Sequence, residues 1–286
     1  MRDQHQLWLG LHRRRVALRG VQSCELRFGS GDELARAFDA ARPEVIVNAA
    51  GLSDVDACER DPALAQAVNA DLAGLVATCA AARGARLVHI STDHVFSGDK
   101  PLRSESDAPE PINVYARTKL AGERQVAEHC PQALIVRTNF FGWGHAARQS
   151  ISDWILAALR EGRRLRMFTD AFFTPILATR LAGAVHRLVD AGTRGVIHVG
   201  GDERVSKHEF ARRLATAFGL PADPIEPARQ AEAGLAAPRP RDMSLSNARA
   251  RGILGGALGA LDEQLAELRA QEETGLSREL RRAVTG

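Results

Sequence analysis

Three short apolar runs set apart by long helical stretches constrain this chain more than any other feature of its sequence. The runs cover residues 44–50 (EVIVNAA), 86–92 (RLVHIST) and 133–138 (ALIVRT). Each is rich in β-branched residues and too short for a helix. Continuous apolar runs of this kind suit strands buried on both faces. Between them, residues 61–83 and 114–130 place apolar side chains at three- and four-residue spacing, the rhythm of an amphipathic helix. Strand–helix alternation predicts an α/β fold, a doubly wound parallel sheet flanked by helices. Residues 195–200 (GVIHVG) are expected to return to that sheet.

The second half reads differently. It predicts a helix near 152–160, a short strand near 166–169, a break at Pro175, and helices near 178–189 and 206–218. The Pro/Ala-rich stretch 221–240 reads as a loop, and the charged, helix-prone tail 261–282 as an exposed terminal helix. The expected organisation is a dinucleotide-binding domain over 1–141, with 195–201 returning to its sheet. A small substrate domain, mainly 142–255, follows, then a helical tail over 256–286. The second domain would lie over the carboxyl ends of the strands, where open α/β sheets bind ligands.

Composition excludes several classes. The net charge of +3, from 38 basic and 35 acidic residues, is scattered along the chain and does not predict a nucleic-acid partner. Cys24, Cys58, Cys79 and Cys130 form no C-x-x-C pair and lack His at metal spacing, so free thiols and no metal are expected. No apolar run reaches the roughly 20 residues of a membrane span, and the N-terminus lacks a signal-peptide core. A soluble, cytoplasmic protein with no membrane partner is the expectation.

The sharpest chemical signal is Tyr115 followed four residues later by Lys119, on one face of the predicted helix. Tyr115 is the only tyrosine, and Lys119 one of three lysines. Hydride delivery to a ketone leaves negative charge on oxygen, so a proton must arrive there. A phenol can donate it, but its ordinary pKa near 10 is too high for easy exchange at neutral pH. A nearby ammonium stabilises the phenolate and lowers that pKa. Thr92 ends the predicted strand 86–92, which puts a hydroxyl at its carboxyl end.

STDHVFSG (91–98), NVYARTKLAGE (113–123) and RTNFFG (137–142) share the order and spacing of one family. The chain resembles the extended short-chain dehydrogenase/reductases, in the dTDP-4-dehydrorhamnose reductase branch, over roughly residues 45–252. The resemblance implies a Rossmann-like fold and NADP- or NAD-dependent reduction of a 4-keto group on a nucleotide-linked deoxysugar. Tyr115 would be the acid, Lys119 its electrostatic partner and ribose anchor, and Thr92 the donor to the carbonyl oxygen. Asn48, Ala49, Ala50, Gly51 and Asn69 fall on cofactor positions. Asp93, Phe140, Trp143 and Arg241 fall where the family meets substrate, and Arg239 lies in the same segment as Arg241. His94 replaces the family's usual tyrosine and reads as packing. A homodimer through the helix over 114–130 fits the superfamily.

One expected element has no match. Such a reductase opens with a strand and a Gly-x-x-Gly-x-x-Gly turn, which seats the cofactor pyrophosphate at a helix N-terminus. No such run occurs near the N-terminus; Gly29 and Gly31 have the wrong spacing and read as a simple turn. The chain aligns from the family's second strand, at 6–11, with the third at 24–28. Arg13 and Arg14 follow that second strand and favour NADP over NAD, whereas Arg27 and Phe28 stand where an Asp-apolar pair usually meets adenine. Three explanations stay open: a start site placed too late, a chain that binds cofactor weakly, or a relative without turnover. The last would be a binding or regulatory subunit, like the β regulatory subunit of methionine adenosyltransferase.

Overall fold

A computed structural model describes residues 5–12, 15–26, 29–145 and 149–285. Among these, four parallel strands form the central sheet. Val45–Asn48 pairs with Arg86–Thr92, which pairs with Leu134–Thr138, which pairs with Gly195–His198. All three predicted runs are strands, and 195–198 returns to the sheet as expected.

Successive residues of each strand face opposite sides of the sheet, so both sides need cover. On one side Leu87 and Ile135 pack under the helices Gly31–Ala41 and Pro62–Ala81. On the other, Val88, Leu134, Val136 and Ile197 pack under Ala178–Asp190 and Ala248–Leu254. This is the doubly wound α/β arrangement that the alternation predicted.

The stretch Pro62–Ala81 revises one expectation. By length and composition it could cross a membrane, but 56% of it is buried inside the molecule. Its alanines and leucines pack on the sheet and on the helix Val114–His129, so it is a core helix. A π-helical turn at Ala67–Asp71 interrupts it.

The N-terminal strands Leu7–Leu11 and Val21–Glu25 pair parallel with each other, as a separate two-stranded sheet. Among the described residues neither joins Val45–Asn48, which is therefore an edge strand. Val45 is 42% and Val47 55% exposed there. The second of these strands lies a few residues before its predicted place at 24–28, because the register sets Leu7 against Val21. Ser30 caps the helix that starts at Gly31, so Gly29 lies in the turn before it, as read, whereas Gly31 opens the helix. Arg13, Arg14, Arg27 and Phe28 lie outside the described residues.

A second core gathers Phe141, Leu156, Phe173, Phe210, Leu214 and Ile225. Phe210 meets Phe141 and Phe173 edge-on at 5.1 and 5.5 Å. Two expectations are corrected here. Residues 221–240 are not all loop: Ile225–Ala228 is a strand parallel to Leu165–Phe168. Pro227 is tolerated because that sheet has only two strands, and the missing N–H falls on an edge. The tail is not an exposed helix. It forms two helices, Leu261–Glu273 and Leu276–Ala283, and Leu261, Leu265 and Leu268 are buried in the second core. Its charge pattern marked the outer face and hid the leucine stripe.

Candidate active site

The site forms where the helix Val114–His129 crosses the carboxyl end of the strand Arg86–Thr92. Asn113 caps that helix by accepting from the Ala116 N–H at 2.8 Å, and Glu59 accepts from the Val114 N–H at 3.0 Å. Its approach to the π-turn is very close. A Cβ on Gly122 would sit 2.3 Å from the Asn69 carbonyl oxygen, so only glycine fits without displacement.

This packing fixes both residues of the Tyr–Lys pair. The Tyr115 ring is buried beside Cys58, Ala65, Leu52 and Val55, and His94 meets it edge-on at 5.4 Å. Lys119 is 5% exposed, and its Nζ donates to the Ile90 carbonyl at 2.8 Å. Ile90 lies two residues before Thr92 on the same strand. Burial pushes the Lys119 ammonium down to about 8, and the Glu123 carboxylate one turn along opposes that shift.

Thr92 serves local structure too. Its Oγ1 accepts from the His94 N–H at 3.2 Å, capping the turn Asp93–Val95, and donates to Asp93 Oδ1 at 3.1 Å. Asn139 donates to the other oxygen of Asp93 at 2.6 Å, so this buried carboxylate is held from both sides. Burial is the first cause that lowers the His94 pKa; Asp93 opposes it, while Lys207 and Arg239 add to it. A neutral ring fits its reading as a packing group rather than a cation.

The loop after Val45–Asn48 lies against the same helix. Asn48 Oδ1 accepts from the Ala50 N–H at 3.2 Å, turning the chain outward, and Ala49 and Gly51 are exposed. A Cβ on Gly51 would sit 3.3 Å from Asn69 Oδ1 and 3.9 Å from Lys119 Nζ. The Asn69 amide is engaged by protein: it accepts from Leu52 N–H at 2.7 Å and donates to the Leu52 carbonyl and Thr118 Oγ1, each at 3.1 Å. It braces the 48–52 loop against the Tyr–Lys helix.

The residues matched to substrate positions divide. Asp93 is central. Phe140 is 53% exposed beside the site's strand end. Trp143 is drawn into the second core, where its Nε1 donates to the Leu268 carbonyl at 3.2 Å and its ring meets Phe218. Arg241 is exposed and its carbonyl accepts from the Phe172 N–H at 2.8 Å, while Arg239 pairs with Asp56 at 2.9 Å.

Sequence reasoning missed five contributors. Asn139 holds Asp93, and Glu123, Ser91 and Arg137 form a buried cluster beneath Lys119. Lys207, brought in by the helix Lys207–Ala217, places its Nζ 3.2 Å from the Phe173 ring centre. Burial lowers its pKa to about 8, with Asp93 opposing. The lysine count could have flagged Lys207; only tertiary structure carries it to Asp93. The four cysteines are free, and no metal-ligating cluster occurs among the described residues.

Comparison with known proteins gives this geometry a family. A probable low-salt glycan biosynthesis reductase of Haloferax volcanii is 35% identical over 79% of this chain and 77% of its own length. The dTDP-4-dehydrorhamnose reductase of Mycobacterium tuberculosis is 36% identical over 71% of this chain and 69% of its own. Methionine adenosyltransferase 2 subunit beta of Danio rerio is 30% identical over 76% and 69%. A crystal structure of dTDP-4-dehydrorhamnose reductase from Bacillus anthracis in complex with NADP superposes with a TM-score of 0.83. It covers 93% of this chain and all of that one, and at 23% identity it supports the fold. The family model described as the RmlD substrate binding domain matches residues 5–273, and the chain belongs to that family.

Proposed function

We propose that this chain reduces a 4-keto group on a nucleotide-linked deoxysugar, using NADPH or NADH. One observation carries the reading. Tyr115 and Lys119 share a helix face, Lys119 is tied to the carbonyl of Ile90, and the turn capped by Thr92 sets His94 against the Tyr115 ring. The proposed domain division is residues 1–141 with 195–201 for the cofactor and mainly 142–255 for the substrate, with the helices Ala178–Asp190 and Ala248–Leu254 of the second part packed on the central sheet.

The nicotinamide end of the cofactor fits this site. Gly51 is open, a side chain there would fill the space over Lys119 Nζ, and the buried ammonium has donors beyond its bond to Ile90. The 48–51 backbone and Lys119 would hold the ribose. NADP is preferred over NAD from the position of Arg13 and Arg14, and the Bacillus anthracis relative was solved with NADP. The bound cofactor supplies hydride to the carbonyl carbon. Tyr115 gives its phenolic proton to the carbonyl oxygen as charge develops there. Lys119 stabilises the phenolate left behind, and Thr92 turns its hydroxyl from Asp93 Oδ1 to donate a hydrogen bond to the carbonyl oxygen. Asp93, Phe140, Trp143 and Arg241 are the proposed substrate contacts, with Trp143 acting through the position of its loop.

Purified protein mixed with NADPH and dTDP-4-keto-6-deoxyglucose, with and without an epimerase, tests the proposal. Absorbance at 340 nm should fall, and Tyr115→Phe should slow it at least about 100-fold, the usual contribution of a positioned acid. Absorbance loss no faster than that of Tyr115→Phe, across several keto-sugars, would reject it.

A second reading is favoured by the exposed edge at Val45 and Val47 and by the methionine adenosyltransferase relative. The chain would then be a binding or regulatory subunit. Tight NADPH binding in a thermal-shift assay favours the enzyme. No binding, with copurification of a fixed partner, favours the subunit.

A further inference from the structure

A buried charge cluster lies beneath the proposed catalytic groups and is not used by the mechanism above. Tyr115, Lys119 and Glu123 succeed one another at four-residue spacing on one helix face. Glu123 is almost wholly buried. Its Oε1 accepts from Ser91 Oγ at 2.5 Å and Arg137 Nε at 3.0 Å, and its Oε2 from Arg137 Nη2 at 2.7 Å. Ser91 directly precedes Thr92, and the Ile90 carbonyl before it takes the Lys119 ammonium. Arg137 is the register partner of Ser91 on the next strand, and its guanidinium lies 5.3 Å from the Phe96 ring just past the Thr92 turn. One carboxylate thus ties together the helix, the strand that ends in Thr92 and the strand beside it.

Stability alone is a poor reason for such a cluster. Two charges taken out of water lose hydration that their attraction only partly restores, and apolar side chains of similar size often serve a core as well. The placement is the informative feature. We propose that Glu123 is a positioning residue for the reduction: it fixes Thr92 through Ser91 and keeps the neighbouring Lys119 ammonium charged, so that Tyr115 has its cationic partner at neutral pH. The charged or titratable groups facing Lys119 are few. Tyr115 and Glu123 come from its own helix, His89 from the strand Arg86–Thr92 and Arg137 from the strand Leu134–Thr138. Of these, Glu123 is the group that favours the charged form of Lys119. This inference rests on the reductase reading for its catalytic meaning, but its central readout needs no substrate.

Because Tyr115 is the only tyrosine in the chain, absorbance at 295 nm reports its ionisation without interference from another phenol. In Glu123→Gln, Lys119 gives up its proton at still lower pH, so less of the phenolate forms with a cation beside it. The Tyr115 midpoint of the full chain should therefore rise by at least about one pH unit, a tenfold loss of phenolate at a given pH below it. Glu123→Asp should restore most of that shift, which a purely structural role would not require. With a keto-sugar substrate, Glu123→Gln should lower kcat at least about tenfold at neutral pH and leave KM within about threefold. A folded Glu123→Gln protein with an unmoved tyrosine midpoint overturns the proposal, whether or not turnover is detected. Should the single variant fail to fold, Glu123→Gln combined with Arg137→Gln keeps a neutral hydrogen-bonded pair, and the same midpoint decides.

Discussion

His89 should make this protein sensitive to acid by an amount that follows from its burial. It lies in the strand Arg86–Thr92 and is fully buried, with Nδ1 3.3 Å from Asn48 Nδ2 and with Nε2 lacking a hydrogen-bond partner among the described residues. Burial first, and then the Lys119 ammonium, push its pKa down to about 3. The folded state therefore keeps the ring neutral, whereas the unfolded chain protonates it below about 6.5. The unfolded state binds more protons throughout the window from 6.5 down to 3, so stability falls as pH falls through it. At pH 4.5 the loss is about 1.36 kcal/mol for each of the two units below 6.5, less the small part already lost at pH 7, or about 2.5 kcal/mol. That figure depends little on the folded value, because pH 4.5 lies well above it. Urea unfolding at pH 7 and 4.5, at fixed ionic strength, compares the protein with His89→Gln. The carboxylates and the other histidines contribute to both proteins and cancel in the difference. The wild type should lose about 2.5 kcal/mol more than the variant between the two pH values. Equal losses would show that His89 takes a proton in the folded state, and the burial argument would fail.

Two further perturbations test the packing that builds the site. Gly122→Ala drives a methyl into the Asn69 carbonyl, and should cost about 1–3 kcal/mol in urea unfolding as the Tyr–Lys helix is pushed away from the π-turn. Leu265→Ala should cost about 2–5 kcal/mol, since that side chain is fully buried in the second core; a change within about 0.5 kcal/mol would restore the exposed-tail reading.

Sequence by itself determined the elements whose chemistry is local. Runs of β-branched residues gave three sheet strands; two are buried on both faces, as their continuous apolar pattern implies, whereas Val45–Asn48 leaves Val45 and Val47 exposed at the sheet edge. The four-residue spacing of Tyr115 and Lys119 placed them on one helix face, because helix geometry admits no other result. Thr92 came at a strand's carboxyl end because the apolar run 86–92 stops there. Tertiary structure decided what depends on partners distant in the chain. Residues 225–228 became a strand only because 165–168 offers an edge, and 261–273 became core only because the apolar groups of the second domain cover its leucines. Asn139 and Arg137 carry no local signal, and neither the spacing of Glu123 nor the rarity of Lys207 shows the contact through which it acts. A side chain's spacing along one helix or strand is fixed by that element's own periodicity, whereas the charge it faces is fixed by how the elements pack.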